Sequence, residues 1–290
     1  MHGTAAVLRP ELDRLTSAHP EWGVWLDLVG RALGSLDGSP WNSLQVELAP
    51  ERVMGAPVLN GATLRVPVRS AGRWTRAFLR DAARGRWSGA DELRRARVRR
   101  LDALALLAAA VTGRRSRLDE IAAAHGIPPD ALAAVAHAAA LPLMIRARER
   151  VADRLPADWQ HGYCPFCGAW PALAELQGLD RKRSLRCGRC GGGWVYSWLR
   201  CPFCDEHRHQ QLGSLVPERE DDTRRSEKCE SCHGYVKTVA TLQPVSPLAV
   251  PLEDLRTVEL DLAAAERGYH RPDGDGWLIE IHIAPSGRLS

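Results

Sequence analysis

All eight cysteines of this chain lie between Cys164 and Cys232, arranged as four Cys-x-x-Cys pairs. The pairs are Cys164/Cys167, Cys187/Cys190, Cys201/Cys204 and Cys229/Cys232. Two intervening residues let both thiolates of a pair point into one coordination sphere. Two such knuckles facing each other make a tetrahedral four-sulfur site, which suits Zn(II) or a single iron. Nineteen residues separate the first two pairs and 24 the last two. The simplest pairing is sequential, with Cys164, Cys167, Cys187 and Cys190 around one ion and Cys201, Cys204, Cys229 and Cys232 around another. Spacing alone leaves crossed pairings open. A secreted disulfide framework would scatter its cysteines, so clustering points to metal ligation in a reducing compartment. Two ions per chain are expected, Fe or Zn, and nothing in the spacing chooses between them. Closed four-thiolate sites leave no position for substrate or water, so their default role is structural. A redox role stays open if the metal is iron. A thioredoxin-type dithiol would occur once, at a helix start, unlike four knuckles in a β-type region.

The neighbouring residues bear on that chemistry. Arg181, Lys182, Arg183, Arg186, Arg189 and Arg200 are close enough in sequence to offset the negative charge of a metal–thiolate site. His161, His207, His209 and His233 flank the knuckles and read as surface residues, since each site already has four sulfurs. A glycine after the second cysteine can take positive φ and turn its N–H toward sulfur, but His233 occupies that place in the last knuckle. Trp170, Trp194, Tyr196, Trp198 and Tyr235 are interleaved with the knuckles. They are candidates for contacting a partner, with packing over the ribbons as the competing role. Gly-x-Ser-x-Gly, His-Glu-x-x-His and a phosphate loop are all missing, so the expectation is a protein that is not an enzyme. Glu218, Glu220, Asp221 and Asp222 form an acidic run expected to be solvated.

The elements that must position these residues fall into two halves. Residues 1–158 read as mainly α-helical, with Trp22, Trp25, Leu26 and Val29 as an apolar face. Ser88-x-x-Asp91 opens a helix whose apolar positions run through Leu93, Leu101, Leu104, Ala108 and Val111 to a stop at Gly113. Ser116-x-x-Asp119 opens the next, which ends at Gly126. Ile127–Asp130 is a turn before a third helix to about Leu141, and residues 143–155 read as a fourth. Gly193–Leu199 and Tyr235–Val239 read as strands, the first connecting two ribbons, and Glu253–Arg267 as a short helix. The fold class expected is α+β. A mostly helical N-terminal domain (1–158) precedes two tandem rubredoxin-like or zinc-ribbon modules (159–195 and 196–245). A C-terminal segment with its short helix follows (246–290).

Net charge separates function classes. Residues 1–160 hold 23 Arg, no Lys and 17 acids, and residues 161–290 hold 16 bases and 18 acids. The basic residues concentrate in Arg84–Arg117, either a solvated helix face or an attraction for nucleic acid. Leu118–Leu132 superficially resembles a helix-turn-helix. Its second helix, residues 131–141, offers only His137 as a hydrogen-bonding side chain, whereas base readout needs several. Nucleic acid is therefore not expected as a partner. No apolar run reaches the roughly 18 residues needed to cross a bilayer, and no export signal is evident. No membrane insertion and a cytoplasmic location are expected.

One resemblance is specific. His161-Gly162-Tyr163-Cys164-Pro165-Phe166-Cys167-Gly168 with Arg186-Cys187-x-x-Cys190 resembles the formate dehydrogenase accessory protein family, FdhE. So do Arg200-Cys201-Pro202-Phe203-Cys204 and Cys229-x-x-Cys232-x-Gly234-Tyr235-x-Lys237-Thr238. The tail motifs Glu253-Asp254-Leu255, Leu260-Asp261-Leu262 and Glu266-Arg267-Gly268-Tyr269 look like that family too. The resemblance covers about residues 160–272, and the helical half is compatible without a sharp motif. It implies a cytoplasmic accessory factor with rubredoxin-like metal centres that binds the formate dehydrogenase catalytic subunit and supports formation of active enzyme. That client carries a molybdenum or tungsten pterin and an Fe–S cluster. Two other readings compete with it: a rubredoxin-like electron-transfer protein acting on the client, and a nucleic-acid-binding zinc-ribbon protein.

Overall fold

The computed structural model describes residues 4–38, 40–96, 98–216 and 223–286, so the acidic run at 218–222 lies outside the described residues. Its first elements are α1 (Thr4–Ala18), α2 (Gly23–Gly34), β1 (Gln45–Glu47), β2 (Ala62–Val66), α3 (Val68–Arg84), α4 (Ala90–Arg95), α5 (Ala103–Thr112), α6 (Arg115–His125) and α7 (Pro129–Arg150). There follow β3 (Leu173–Gln177), β4 (Lys182–Arg186), β5 (Gly193–Val195), β6 (Leu212–Leu215), β7 (Arg224–Cys229), β8 (Tyr235–Thr241), α8 (Val250–Arg256), α9 (Val258–Glu266) and β9 (Ile281–Pro285). They form two compact units, each stitched from separate stretches. One holds Met1–Glu51, Leu59–Ala152 and Leu278–Ser290; the other holds Arg52–Val58 and Asp153–Trp277. The chain therefore passes between the units four times.

The first unit is a helical core with a small sheet. In α3, Ala71, Thr75, Phe78, Leu79 and Ala82 recur at helical spacing and are buried, while Arg73, Arg76, Arg80 and Arg84 face solvent. An apolar stripe of that width is what a helix buries against its neighbours. The basic run beyond it is largely matched by acids along the helices. Arg84 pairs with Asp81 (3.0 Å), Arg95 with Glu92 (2.7 Å), Arg115 with Asp119 (2.8 Å) and Arg117 with Glu120 (2.6 Å). Among the described residues this is a solvated face laced with its own counter-charges.

Two helical expectations are corrected. The helix expected from Ser88 to Gly113 is two, α4 and α5, parted by a 3₁₀ turn at Val98–Arg100. The Asp102 carboxylate accepts the N–H groups of Leu104 (3.0 Å) and Ala105 (3.1 Å), and that N-cap starts a new helix. In the opposite sense, Pro142 does not end a helix: α7 runs through it for 22 residues. A mid-helix proline costs about 3 kcal/mol. Burial of Ala136, Ala139, Ala140, Leu141, Leu143, Met144 and Ile145 offsets it, and Trp74 donates its indole N–H to the Ala139 carbonyl (2.9 Å). Read as one helix, α7 is long and apolar enough to cross a bilayer by length and composition. Two thirds of that stretch is buried inside the unit, as in a core helix. The helix-turn-helix likeness has the same explanation, since Leu132, Ala133, Val135, Ala136, Ala139 and Ala140 point into the core.

β2 is the middle strand of the small sheet, antiparallel to β1 and parallel to β9. Ala62, Leu64 and Val66 alternate inward and are fully buried.

The second unit is one six-stranded sheet of order β5-β4-β3-β8-β7-β6. It is two copies of the same three-stranded antiparallel ribbon. Each copy runs knuckle, strand, strand, knuckle, strand: first through β3, β4 and β5, then through β6, β7 and β8. The ribbons join where β3 runs parallel to β8, Leu173 opposite Lys237 and Gln177 opposite Thr241. This corrects the expected connection through Trp194–Leu199. Strand β5 stops at Val195, because Tyr196 makes the last rung to the Arg183 carbonyl (3.2 Å). The Arg183 guanidinium then claims the Ser197 carbonyl (2.9 Å), and Trp198 donates to the Arg181 carbonyl (3.1 Å). The expected helix Glu253–Arg267 is two helices. They part at buried Thr257, whose hydroxyl donates to the Glu253 carbonyl (2.7 Å).

Candidate metal centres

The four knuckles share one backbone conformation. In each, the N–H of the first cysteine donates to the carbonyl five residues on: Cys164 to Ala169, Cys187 to Gly192 and Cys201 to Glu206 (2.8 Å each), and Cys229 to Gly234 (2.9 Å). The residue after the second cysteine is left-handed in every case. Gly168 has φ +73°, Gly191 +69°, Asp205 +65° and His233 +53°. His233 therefore preserves the turn that a glycine would make, in a conformation that L-residues adopt at a cost of roughly 1–2 kcal/mol. The interior of each module repeats as well. A Cβ on Gly192 would meet Phe166 (2.9 Å) and the Cys190 sulfur (3.3 Å). One on Gly234 would meet Phe203 (2.7 Å) and the Cys232 sulfur (3.1 Å). The phenylalanine inside the first knuckle of each module thus roofs the glycine two residues after its last cysteine.

This geometry gathers the cysteines sequentially. In each of the sets Cys164/Cys167/Cys187/Cys190 and Cys201/Cys204/Cys229/Cys232, all four sulfurs lie within 4.8 Å of one another. Contacts in the first are 3.5 Å (Cys167–Cys187), 3.6 Å (Cys164–Cys190) and 3.7 Å (Cys167–Cys190). In the second, Cys201–Cys232 and Cys204–Cys229 are both 3.7 Å. These are too long for disulfides, at about 2.05 Å. They match the edge of a tetrahedron with metal–sulfur bonds of ~2.3 Å, which is roughly 3.8 Å. Burial pushes the Cys164 and Cys201 thiols up and lifts Cys232 to about 12, whereas contacts with Cys164, Cys167 and Cys190 hold Cys187 down. Four thiols this close cannot all ionise without a cation among them. The donor set fits a closed tetrahedral ion. None of the flanking histidines joins a cluster; His161 instead stacks on Tyr163, with centroids 4.9 Å apart.

The surroundings of the two clusters differ. All four sulfur-bearing residues of the first are buried, whereas Cys204 of the second is exposed and Cys232 half-buried. Around the first, Arg189 forms a bidentate pair with buried Asp275 (2.7 Å twice), and burial raises that carboxyl above its usual range. Arg186 reaches both oxygens of fully buried Glu175 (3.2 Å each) and the Gly191 carbonyl (3.4 Å), tying the second knuckle to β3. The second cluster is held by the exposed Arg200–Asp205 pair and by Glu206, whose nearly buried carboxylate accepts from exposed Arg208 and from Ser231 (2.7 Å).

The five aromatic candidates separate by exposure. Trp194, Tyr196 and Tyr235 are buried at 4–5% exposure, Trp170 is half-buried and Trp198 is 44% exposed. Trp194 donates to the His161 carbonyl (3.1 Å), and Trp170 meets Phe203 edge-on at 5.4 Å, bridging the two modules. Arg183 stacks over Tyr196 (5.5 Å) and pairs across the ribbons with Glu227 (2.7 Å).

Reading by motif named Lys237, Asp254 and Asp261 but missed the buried network they form. Lys237 is fully buried; its ammonium contacts Asp254 (2.7 Å) and Asp261 (2.8 Å) and donates to the Asp254 carbonyl (2.6 Å). Arg271 joins both acids (2.8 and 2.9 Å), and the Tyr235 hydroxyl donates to Asp261 (2.7 Å). Burial works against ionised Asp254, yet Arg271 and Lys237 hold its carboxyl below the usual range. Burial and Asp261 lift Tyr235 to about 12. Tyr235 and Lys237 are two apart on β8 and share a face, which is the signal that could have linked them to the tail aspartates.

Similarity to known proteins follows the same residues. Residues 199–278 match the family model described as FdhE, C-terminal domain. The chain is 32% identical over 115 residues to the Protein FdhE homolog of Aquifex aeolicus, covering 38% of this chain and 40% of that protein. It is 32% identical over 130 residues to the Protein FdhE homolog of Pseudomonas aeruginosa, covering 43% and 40%. These alignments span about two fifths of the length of those relatives. The crystal structure of the FdhE protein from Pseudomonas aeruginosa shares the fold, with TM-score 0.61 and 24% identity over 96% of this chain and 98% of that one.

Proposed function

With residues 199–278 matching the FdhE C-terminal family model and the chain sharing the fold of an FdhE protein, we propose that it is a non-enzymatic accessory factor. It binds the catalytic subunit of a formate dehydrogenase and supports formation of active enzyme. Each four-cysteine cluster holds one metal ion. The observation that carries this reading is the pair of clusters with sulfur–sulfur edges of 3.5–3.7 Å, inside a sheet whose family motifs meet in one ion network. A tetrahedral thiolate ion stabilises the short ribbons directly, because the site does not exist in the unfolded chain. The test is Cys201→Ser in a host whose formate dehydrogenase depends on this chain. The variant loses about one ion per chain by elemental analysis, and formate dehydrogenase activity falls with it. Unchanged metal content and unchanged client activity would sink the reading.

A second reading is favoured by the exposed edge of the second cluster at Cys204. Iron there would pass one electron to or from the client. It requires freshly purified protein to be coloured and reversibly bleached by a reductant; colourless protein with two Zn per chain removes it. Nucleic-acid binding has little support, since the helix that would read bases is mostly buried over residues 131–141 and its exposed face there offers only His137 as a hydrogen-bonding side chain.

A further inference from the structure

We infer that the two four-cysteine sites do different work: the first is a permanently closed anchor, and the second is an exchangeable metal site entered across Cys204. The inference rests on the metal-binding part of the function proposed above and assigns each site its part.

Three independent observations separate the sites. The first is access. Cys164, Cys167, Cys187 and Cys190 are each 0% exposed, so no incoming ligand can reach a metal there without the unit opening. At the second site Cys204 is exposed and Cys232 half-buried. Cys201 and Cys229 line a cavity of about 110 Å³, together with Trp198, Leu199, Arg225 and Val236. Replacement of a thiolate ligand needs an attacking group next to the ion, and the structure offers that approach on this site alone among the described residues.

The second is how each site is clamped. The first is covered by the buried Arg189–Asp275 pair, and its turns are pressed under other chain segments. A Cβ on Gly168 would lie 2.4 Å from the Trp277 carbonyl, and one on Gly191 would lie 2.4 Å from that of Pro247. In the second site Pro202 is also pressed, since a Cβ on Gly162 would lie 1.8 Å from its carbonyl, but the turn after Cys204 is fastened at the surface by the Arg200–Asp205 pair. Such pairs hold geometry weakly and fail further in salt.

The third is the backbone. Both left-handed positions of the first site are glycine, whereas those of the second are Asp205 and His233. The second site therefore keeps its turns against a conformational preference, which favours local opening there.

The experiment uses the full chain loaded with Zn(II). Metal analysis first establishes two ions per chain; excess EDTA is then added, and zinc release is followed alongside iodoacetamide alkylation mapped by mass spectrometry. Two phases of equal amplitude are expected, differing at least tenfold in rate. Alkylation reaches Cys204 and Cys232 during the fast phase, while Cys164, Cys167, Cys187 and Cys190 stay protected. Cys204→Ser should retain one zinc and show the slow phase only. Release of both ions in a single phase, or earlier alkylation in the first cluster, overturns the inference while leaving metal binding intact. A wild-type chain that binds no zinc or iron at all overturns the metal-binding reading and the inference together.

Discussion

The Cβ that Gly162 lacks would stand 1.8 Å from the carbonyl oxygen of Pro202, 2.5 Å from its carbonyl carbon and 2.6 Å from its Cα. Gly162 precedes the first knuckle and Pro202 sits inside the third, so the two metal modules touch backbone to backbone. Gly162→Ala must force them apart. It is expected to destabilise the second unit by more than the ~1–3 kcal/mol usual for overpacking, since neither backbone can rotate away. Denaturant unfolding followed by the unit's tryptophan fluorescence checks it; a change below 1 kcal/mol would mean the modules slide freely.

Lys237 is the hub of the Asp254–Asp261–Arg271 network, and removing it leaves two carboxylates with one cation. Lys237→Met should cost about 3–5 kcal/mol, as for other broken buried pairs. The network also has a pH signature. Asp254 is depressed in the folded chain relative to an unfolded value of about 3.9. Its contribution is therefore present above that value and lost as pH falls through the folded one. The stability gap between wild type and Asp254→Asn should be full at pH 7 and close below about pH 4. A gap that stays constant down to pH 3 would place Asp254 outside the network energetically.

His233 holds a left-handed turn with φ +53°. His233→Gly removes that strain, roughly 1–2 kcal/mol, and forfeits the tilted contact of the imidazole with Tyr269 at 5.9 Å. A net gain of about 0.5–1 kcal/mol is expected, with metal stoichiometry unchanged. Thermal melting with elemental analysis decides it; a drop in stability would show that the Tyr269 contact outweighs the backbone.

Trp194 and Trp198 lie on either side of the end of β5 but should respond oppositely. Trp194 is buried, so Trp194→Ala is expected to cost about 3–5 kcal/mol. Trp198 is 44% exposed; Trp198→Ala should leave stability within about 1 kcal/mol and, if this face meets the client, lower formate dehydrogenase activation in cells. Equal melting losses would place both side chains in the core.

What could be read without coordinates followed locality. The cysteine pairs are complete in four residues each, so ligand identity was legible from spacing. Sequential pairing was the simpler of the options left open. The ends of α5 and α6 at Gly113 and Gly126 were legible because glycine there is left-handed. Pro142 misled because a local cost was overridden by burial on every side of α7, which is a tertiary fact. Glu175 went unread and Lys237 was read only as a motif residue for a related reason: each looks like a surface charge on a strand until its partners arrive from 11 and 17 or more residues away. The parallel join of β3 to β8 has no sequence signature, since it pairs the first strand of one copy with the last strand of the other.

The small sheet of the first unit has a consequence in time. Strand β2 leaves the ribosome long before its parallel neighbour β9, which pairs Ala62 with Ile281 and Val66 with Pro285. At synthesis rates of about 5–20 residues per second, that delay is on the order of 10–40 s. Throughout it, a fully apolar strand face has an unpaired edge. The cysteine ribbons emerge within the same interval, so they can be complete before the helical unit closes its sheet. Whatever binds the nascent chain in that window meets a finished metal-binding half and an unfinished helical one.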